Sequence, residues 1–121
     1  MADCAAAGYR VTALITDSAG DPVVLLSGNG VSVGTQNTAR TKVAAVLKYK
    51  MSSGELLAKT RADPALAAEV KADPAIGILY QGAVPIISEG QTIGVFAVSG
   101  APGGDKDEAC VQSALAKFPQ R

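Results

Sequence analysis

The sequence predicts an α/β domain, a mainly antiparallel sheet with helices packed on its faces. Three observations predict it. Strand-like runs come in pairs joined by short turns, at 10–17 with 23–26 and at 84–87 with 92–98, and short turns join antiparallel neighbours. Between the pairs, Ala39, Val43, Val46 and Leu47 recur at helical spacing within 35–50. A last helical segment, about Asp105 to Lys117, closes the chain. The resulting order is helix, two strands, helices, three strands, helix, which suits helices laid over an antiparallel sheet.

Each element has a local reason. Ala2 to Ala7 reads as the end of a helix stopped by Gly8. Arg10 to Asp17 reads as a strand, Ser18 to Pro22 as a turn, and Val23 to Leu26 as the returning strand. Gly28 to Gly34 is a glycine-rich loop that carries the chain out of that edge strand. In the following helix, Lys50 continues the apolar stripe into the last turn. There it either complements the helix dipole or projects a cation over a pocket. Ser52-Ser53-Gly54-Glu55 resembles a capping box and starts a short helix through Leu57 and Ala58. Asp63-Pro64 starts a third, with aspartate as cap and proline at the first helical position. Ala62-Asp63-Pro64-Ala65 recurs as Ala72-Asp73-Pro74-Ala75, marking two turns that flank this short helix. Ile76 to Tyr80, Val84 to Ile87 and Thr92 to Val98 read as three strands, the last two joined at Ser88 to Gln91.

The 121 residues suit a single domain spanning 1–121. Apolar residues make up 48% and charged residues 18%, a globular composition. Because 22 of the 58 apolar residues are alanine, large core residues are few. Close helix packing and burial against sister subunits are ways to gain the missing contact. Eleven basic and 11 acidic residues balance, which gives no reason to expect nucleic acid. No stretch reaches the roughly 18 apolar residues of a membrane span. The chain opens Met-Ala-Asp-Cys without a visible leader. The expectation is a cytoplasmic protein, or a periplasmic or secreted one whose leader has been trimmed. Cys4 and Cys110 either pair or stay as two buried thiols.

Histidine is absent, which removes the usual Ser-His-Asp and Cys-His nucleophile systems, histidine zinc sites and a proximal histidine on haem iron. Gly28-Asn29-Gly30 fails as a dinucleotide loop, since the third glycine, Gly34, is one residue late. Gly100 to Asp107 fails as a phosphate loop, since no Gly-Lys-Ser/Thr follows and three carboxylates crowd the helix start. Helix capping accounts for Asp105, Asp107 and Glu108 more simply than a metal site does. From Pro22 to Gly54 no acidic residue occurs, while Arg40, Lys42, Lys48 and Lys50 do. The segment is either a solvated helix surface or a holder of carboxylates such as haem propionates.

The ordered run Gly82-Ala83-Val84-Pro85-Ile86, Glu89-Gly90-Gln91-Thr92-Ile93-Gly94 and Val98 to Cys110 resembles the GlcG/HbpS family. That family includes haem-binding proteins and the C-terminal domain of PduO-type proteins. Its pattern there is G-G-x-P-I, a short turn, I-G-x-x-x-V-S-G-A and an acidic pair at the last helix. Val11 to Gly20 resembles the family's first strand and turn. Lys42 and Ser53-Gly54-Glu55-Leu56 resemble its lysine helix and the start of the next helix. The likeness covers nearly the whole chain. It departs in a shorter N-terminal helix, in Ala83 for the second glycine, and in the lack of histidine.

The resemblance implies a profilin-like fold, a five-stranded antiparallel sheet with terminal helices on one face and middle helices on the other. It also implies homo-oligomers, often octamers, and binding of haem or a related tetrapyrrole. The expected pocket combines the end of the lysine helix (Lys42, Tyr49, Lys50, Met51) with Gly82, Pro85 and the loop Ser99, Gly100, Ala101, Pro102, Gly103. Without histidine, an iron ligand would come from Tyr49, Tyr80, Met51, a lysine or a hydroxyl, or the iron would face solvent. The expected function is small-molecule binding rather than catalysis. The competing readings are an accessory or sensor domain for another small carboxylate or a partner protein, and a haem-degrading enzyme.

Overall fold

A computed structural model of the chain describes residues 10–28, 30–31, 33–100 and 104–116. Strands β1 (Thr12–Asp17) and β2 (Pro22–Ser27) precede helices α1 (Gly34–Tyr49), α2 (Ser53–Ala62) and α3 (Pro64–Ala72). Strands β3 (Ala83–Ser88) and β4 (Gln91–Ser99) and helix α4 (Gly104–Ala116) follow. The sheet is antiparallel throughout, in the order β2-β1-β4-β3.

Alternation along the strands divides the core into two layers. Val11, Ala13, Val84, Phe96 and Val98 face Val111 of α4. Leu14, Ala83, Val95 and Ala97 face Ala39, Val43 and Val46 of α1, so the predicted stripe is the buried face of that helix. Fully burying each of these valines stabilises by roughly 1.5–3 kcal/mol. A third cluster, Ala45, Leu56, Val70 and Ile76, packs α2 and α3 behind α1. The middle helices and the last helix thus take opposite faces, as expected. The predicted helix Ala2 to Ala7 lies outside the described residues.

The caps form as the sequence predicts. Ser52 Oγ accepts from Glu55 N–H at 3.2 Å and donates to its carboxylate at 3.1 Å. Asp63 Oδ1 accepts from Ala65 and Leu66 N–H, both at 3.1 Å, with Pro64 at the first helical position. The helix started by Ser52 runs on to Ala62, one turn past the expected Ala58.

The sheet has four described strands, not five. Ile76 to Tyr80 is a turn-rich connector. Its apolar run is consumed in a different way. Asp73 Oδ1 accepts from Ala75 N–H at 2.8 Å, and Asp73 O accepts from Ile76 and Gly77 N–H. Gly77 turns the chain at φ 63°, and Ile76 drops into the third cluster as a plug. Ile76 and Leu79 of that run pack against α2 and α3, while Ile78 and Tyr80 are exposed.

Candidate functional site

The corner where β3 begins is held by several buried ties. Gly82 has φ 136°, a conformation that favours glycine. A Cβ there would lie 2.5 Å from Lys42 Nζ and 2.8 Å from both Asp107 Cβ and Val98 O. The missing side chain is therefore the space that the Lys42 ammonium fills. Lys42 is 1% exposed, and its Nζ donates to Val98 O at 2.7 Å and to Asp107 Oδ2 at 2.9 Å. Burial pushes this ammonium below the usual lysine range, and the Asp107 carboxylate opposes the shift. Ser53, fully buried at the start of α2, completes the corner by accepting from Ala83 N–H at 3.0 Å. One lysine thus joins α1, the end of β4 and the first turn of α4.

These ties set the walls of an open cleft of about 540 Å³. Ser52, Gly54, Glu55 and Ala58 line it from α2 and the residue before it, Val84 and Pro85 from β3, and Glu108 and Gln112 from α4. Glu108 Oε2 accepts from Gln81 Nε2 at 2.8 Å, which holds the carboxylate at the rim. Gly54 permits the close approach, since a Cβ there would meet Glu108 Oε1 at 2.7 Å and Gln81 at 3.0 Å. The lining is an apolar wall of Ala58, Val84 and Pro85 facing hydroxyl, amide and carboxylate groups. A smaller hollow of about 320 Å³ lies between α2, α3 and the connector, lined by Leu57, Val70 and Leu79 among others.

Of the predicted site residues, Pro85 lines the cleft. Gly82 and Lys42 form the corner behind it. Lys42 is neither a solvated surface residue nor a free cation, because its place in the stripe between Ala39 and Val46 turns it inward onto Asp107. The others lie elsewhere. Tyr49 donates to Glu69 at 3.1 Å and, with Met51, packs on the third cluster. Lys50 is the exposed left-handed cap of α1, at φ 61°, and its N–H donates to Val46 O. Tyr80 is 46% exposed. Ser99 is buried opposite Thr12, and Gly100 follows at φ 112°. Ala101, Pro102 and Gly103 lie outside the described residues.

The capping explanation of the acidic trio gives way for two of its members, since Asp107 pairs with Lys42 and Glu108 with Gln81. Ser52, Gly54, Glu55, Ala58, Val84, Glu108 and Gln112 were not predicted as site residues. The signal for several was present, because Ser53 to Leu56 and the acidic pair of the last helix carry the family pattern. Lys48, read only as part of the basic segment, pairs with Asp73 at 2.6 Å on the surface. Cys110 is disulfide-bonded, while Cys4 lies outside the described residues. No helix among the described residues is long and apolar enough to cross a membrane. Among them, no histidine, cysteine and carboxylate group gathers into a metal-binding cluster.

Several solved structures share this fold. HbpS superposes with a TM-score of 0.84 at 24% identity, over 98% of this chain and 81% of that one. The ORFY protein of Klebsiella pneumoniae gives 0.85 at 18%, over 98% and 83%. PduOC, solved as a haem complex, gives 0.81 at 19%, over 95% and 83%. No curated protein matches. The model of the family described as "Haem degrading protein HbpS-like" matches residues 1–116, and the chain, with its lysine corner and acidic last helix, belongs to that HbpS-like family.

Proposed function

We propose that this protein binds haem or a related tetrapyrrole as a homo-oligomer, with the cleft beside the lysine corner as the ring's seat. The observation that carries the reading is the cleft itself. Its volume of about 540 Å³ falls among small-molecule sites, and Ala58, Val84 and Pro85 offer an apolar wall to a flat ring. Family membership and the haem held by PduOC support it.

The residues fit the ring and do not fit the iron or the propionates. The chain has no histidine, and among the described residues neither tyrosine, methionine nor any basic side chain lines the cleft. Burial of the ring is therefore the binding term, since Glu55 and Glu108 would repel propionates. The protein's own part is to hold the walls. Lys42 and Asp107 anchor α4, Ser53 anchors α2, and Gln81 orients Glu108 at the rim.

The acid-rimmed wall favours one alternative, a small neutral or cationic ligand that hydrogen-bonds Glu55, Glu108 and Gln112. The disulfide at Cys110 supports an oxidising compartment, periplasmic or secreted.

Titration with haem and with metal-free protoporphyrin tests the reading. Both are expected to bind at micromolar concentration with shifted Soret bands and similar affinity. Substituting Ala58→Glu, which puts a charge on the apolar wall, should weaken both about tenfold or more. No spectral change with either porphyrin overturns the reading. Release of ring-cleavage products when a reductant is added would make the protein an enzyme.

A further inference from the structure

Strand β2 is bare in a way that no other strand is. Its sequence, Pro-Val-Val-Leu-Leu-Ser, has no charge, and all six residues are exposed. Val23 is 65% exposed, Val24 40%, Leu25 36% and Leu26 52%. Among the described residues its packing partner is β1, and the helices sit over the other strands. Val24 and Leu26 lie on the face of Ile15 and Ala13, and Leu25 on the opposite face with Leu14. The strand therefore shows apolar side chains on both faces and, among the described residues, an unpaired outer edge. Natural sheets blunt such an edge with charge, bulges or a cover.

The hydrogen-bond pattern states which groups are unpaired. Gly28 N–H donates to Val11 O, so residues 28, 26 and 24 turn their backbone groups toward β1. Leu25 and Ser27 turn theirs outward. The register shifts between Val24 and Pro22 and leaves Val23 out of the ladder, so the regular outer row runs from Val24 to Ser27.

We propose that a second copy of this chain pairs with that edge, β2 antiparallel to β2, with Leu25 on the twofold axis. The outward groups of Leu25 then pair with those of Leu25 of the partner subunit. On one face Val24 packs against Leu26 of the partner subunit, and on the other the two Leu25 side chains meet. Charge at the strand's ends selects this partner and direction. Exposed Asp21 stands just before β2, and exposed Arg10 stands beside Gly30 at the other end of the strand. Antiparallel self-pairing brings each acid to the partner's base, twice over, and an uncharged strand adds no repulsion between them. The proposal rests on the oligomeric part of the reading above and names its surface.

Molar mass by sedimentation and light scattering tests it. The wild type is expected at an even multiple of the chain mass. Leu25→Lys, which sets two ammonium groups together on the axis, should raise the dissociation constant about 100-fold. Val23→Lys, at a more exposed position, should act in the same direction with an unchanged circular dichroism spectrum. Asp21→Lys and Arg10→Glu should each weaken association, and the double variant should regain it. Oxidised Leu25→Cys should give a covalent dimer, while Ile78→Cys, exposed away from the edge, should not. A monomeric wild type overturns both this proposal and the oligomeric reading. An oligomer that keeps its mass in folded Leu25→Lys and Val23→Lys overturns this proposal alone.

Discussion

The two edges of the sheet meet their unpaired groups in opposite ways. At the β3 edge, the entry into the strand is held by Ser53 on the backbone of Ala83, with the Lys42–Asp107 pair beneath Gly82. At the β2 edge nothing described holds the outer row, and four large apolar side chains face water. The contrast separates two uses of one sheet. The first edge is built to keep its shape and so frames a cleft, and the second is the one we propose a second copy of the chain covers.

The largest expected effect breaks the tied edge. Asp107→Ala leaves the Lys42 ammonium buried without its carboxylate and should cost about 3–5 kcal/mol in urea unfolding. Leu25→Lys on the open edge should change the stability of the isolated chain by only about 0.5 kcal/mol. Equal losses for the two substitutions would erase the contrast. Next in size, Ser53→Ala removes the acceptor for the buried Ala83 N–H and should cost about 1–3 kcal/mol. The same variant should loosen the cleft and weaken porphyrin binding.

The smallest effect belongs to the surface pair of Lys48 and Asp73. Lys48, donating to the Asp73 carboxylate, holds that carboxyl below its ordinary range, and the Ala75 N–H helps. Its contribution is complete above the ordinary aspartate value and drains away as pH falls through the lowered one. Melting temperature followed from about pH 6 to pH 2 should show a slightly shallower acid decline in Asp73→Asn, with the difference shrinking in high salt.

Local grammar made most of the fold legible. The stripe of Ala39, Val43 and Val46, the Ser52 and Asp63 caps and the hairpin turns are each specified within a few residues. Ile76 to Tyr80 misled because a short apolar run reads alike as a strand or as a buried plug. What decides it is the Asp73 turn with Gly77, together with the hollow that Leu56 and Val70 leave for Ile76. Of the site, Pro85, Gly82 and Lys42 were in view, but the role of Lys42 was not. Its carboxylate partner lies 65 residues along the chain, and no spacing rule reaches that far. Tyr49 and Met51 looked available only because sequence shows that a side chain has chemistry, not that Glu69 and the helical layer already claim it.

The lysine beneath Gly82 also bears on how the domain comes apart. Helices at a chain end commonly fray before the rest. Here, peeling α4 away would strand an ammonium in an apolar interior with one carbonyl for company. The first turn of α4 is thus welded to α1 across the sheet, and the amide protons of the turn that follows it should exchange only when the whole domain opens.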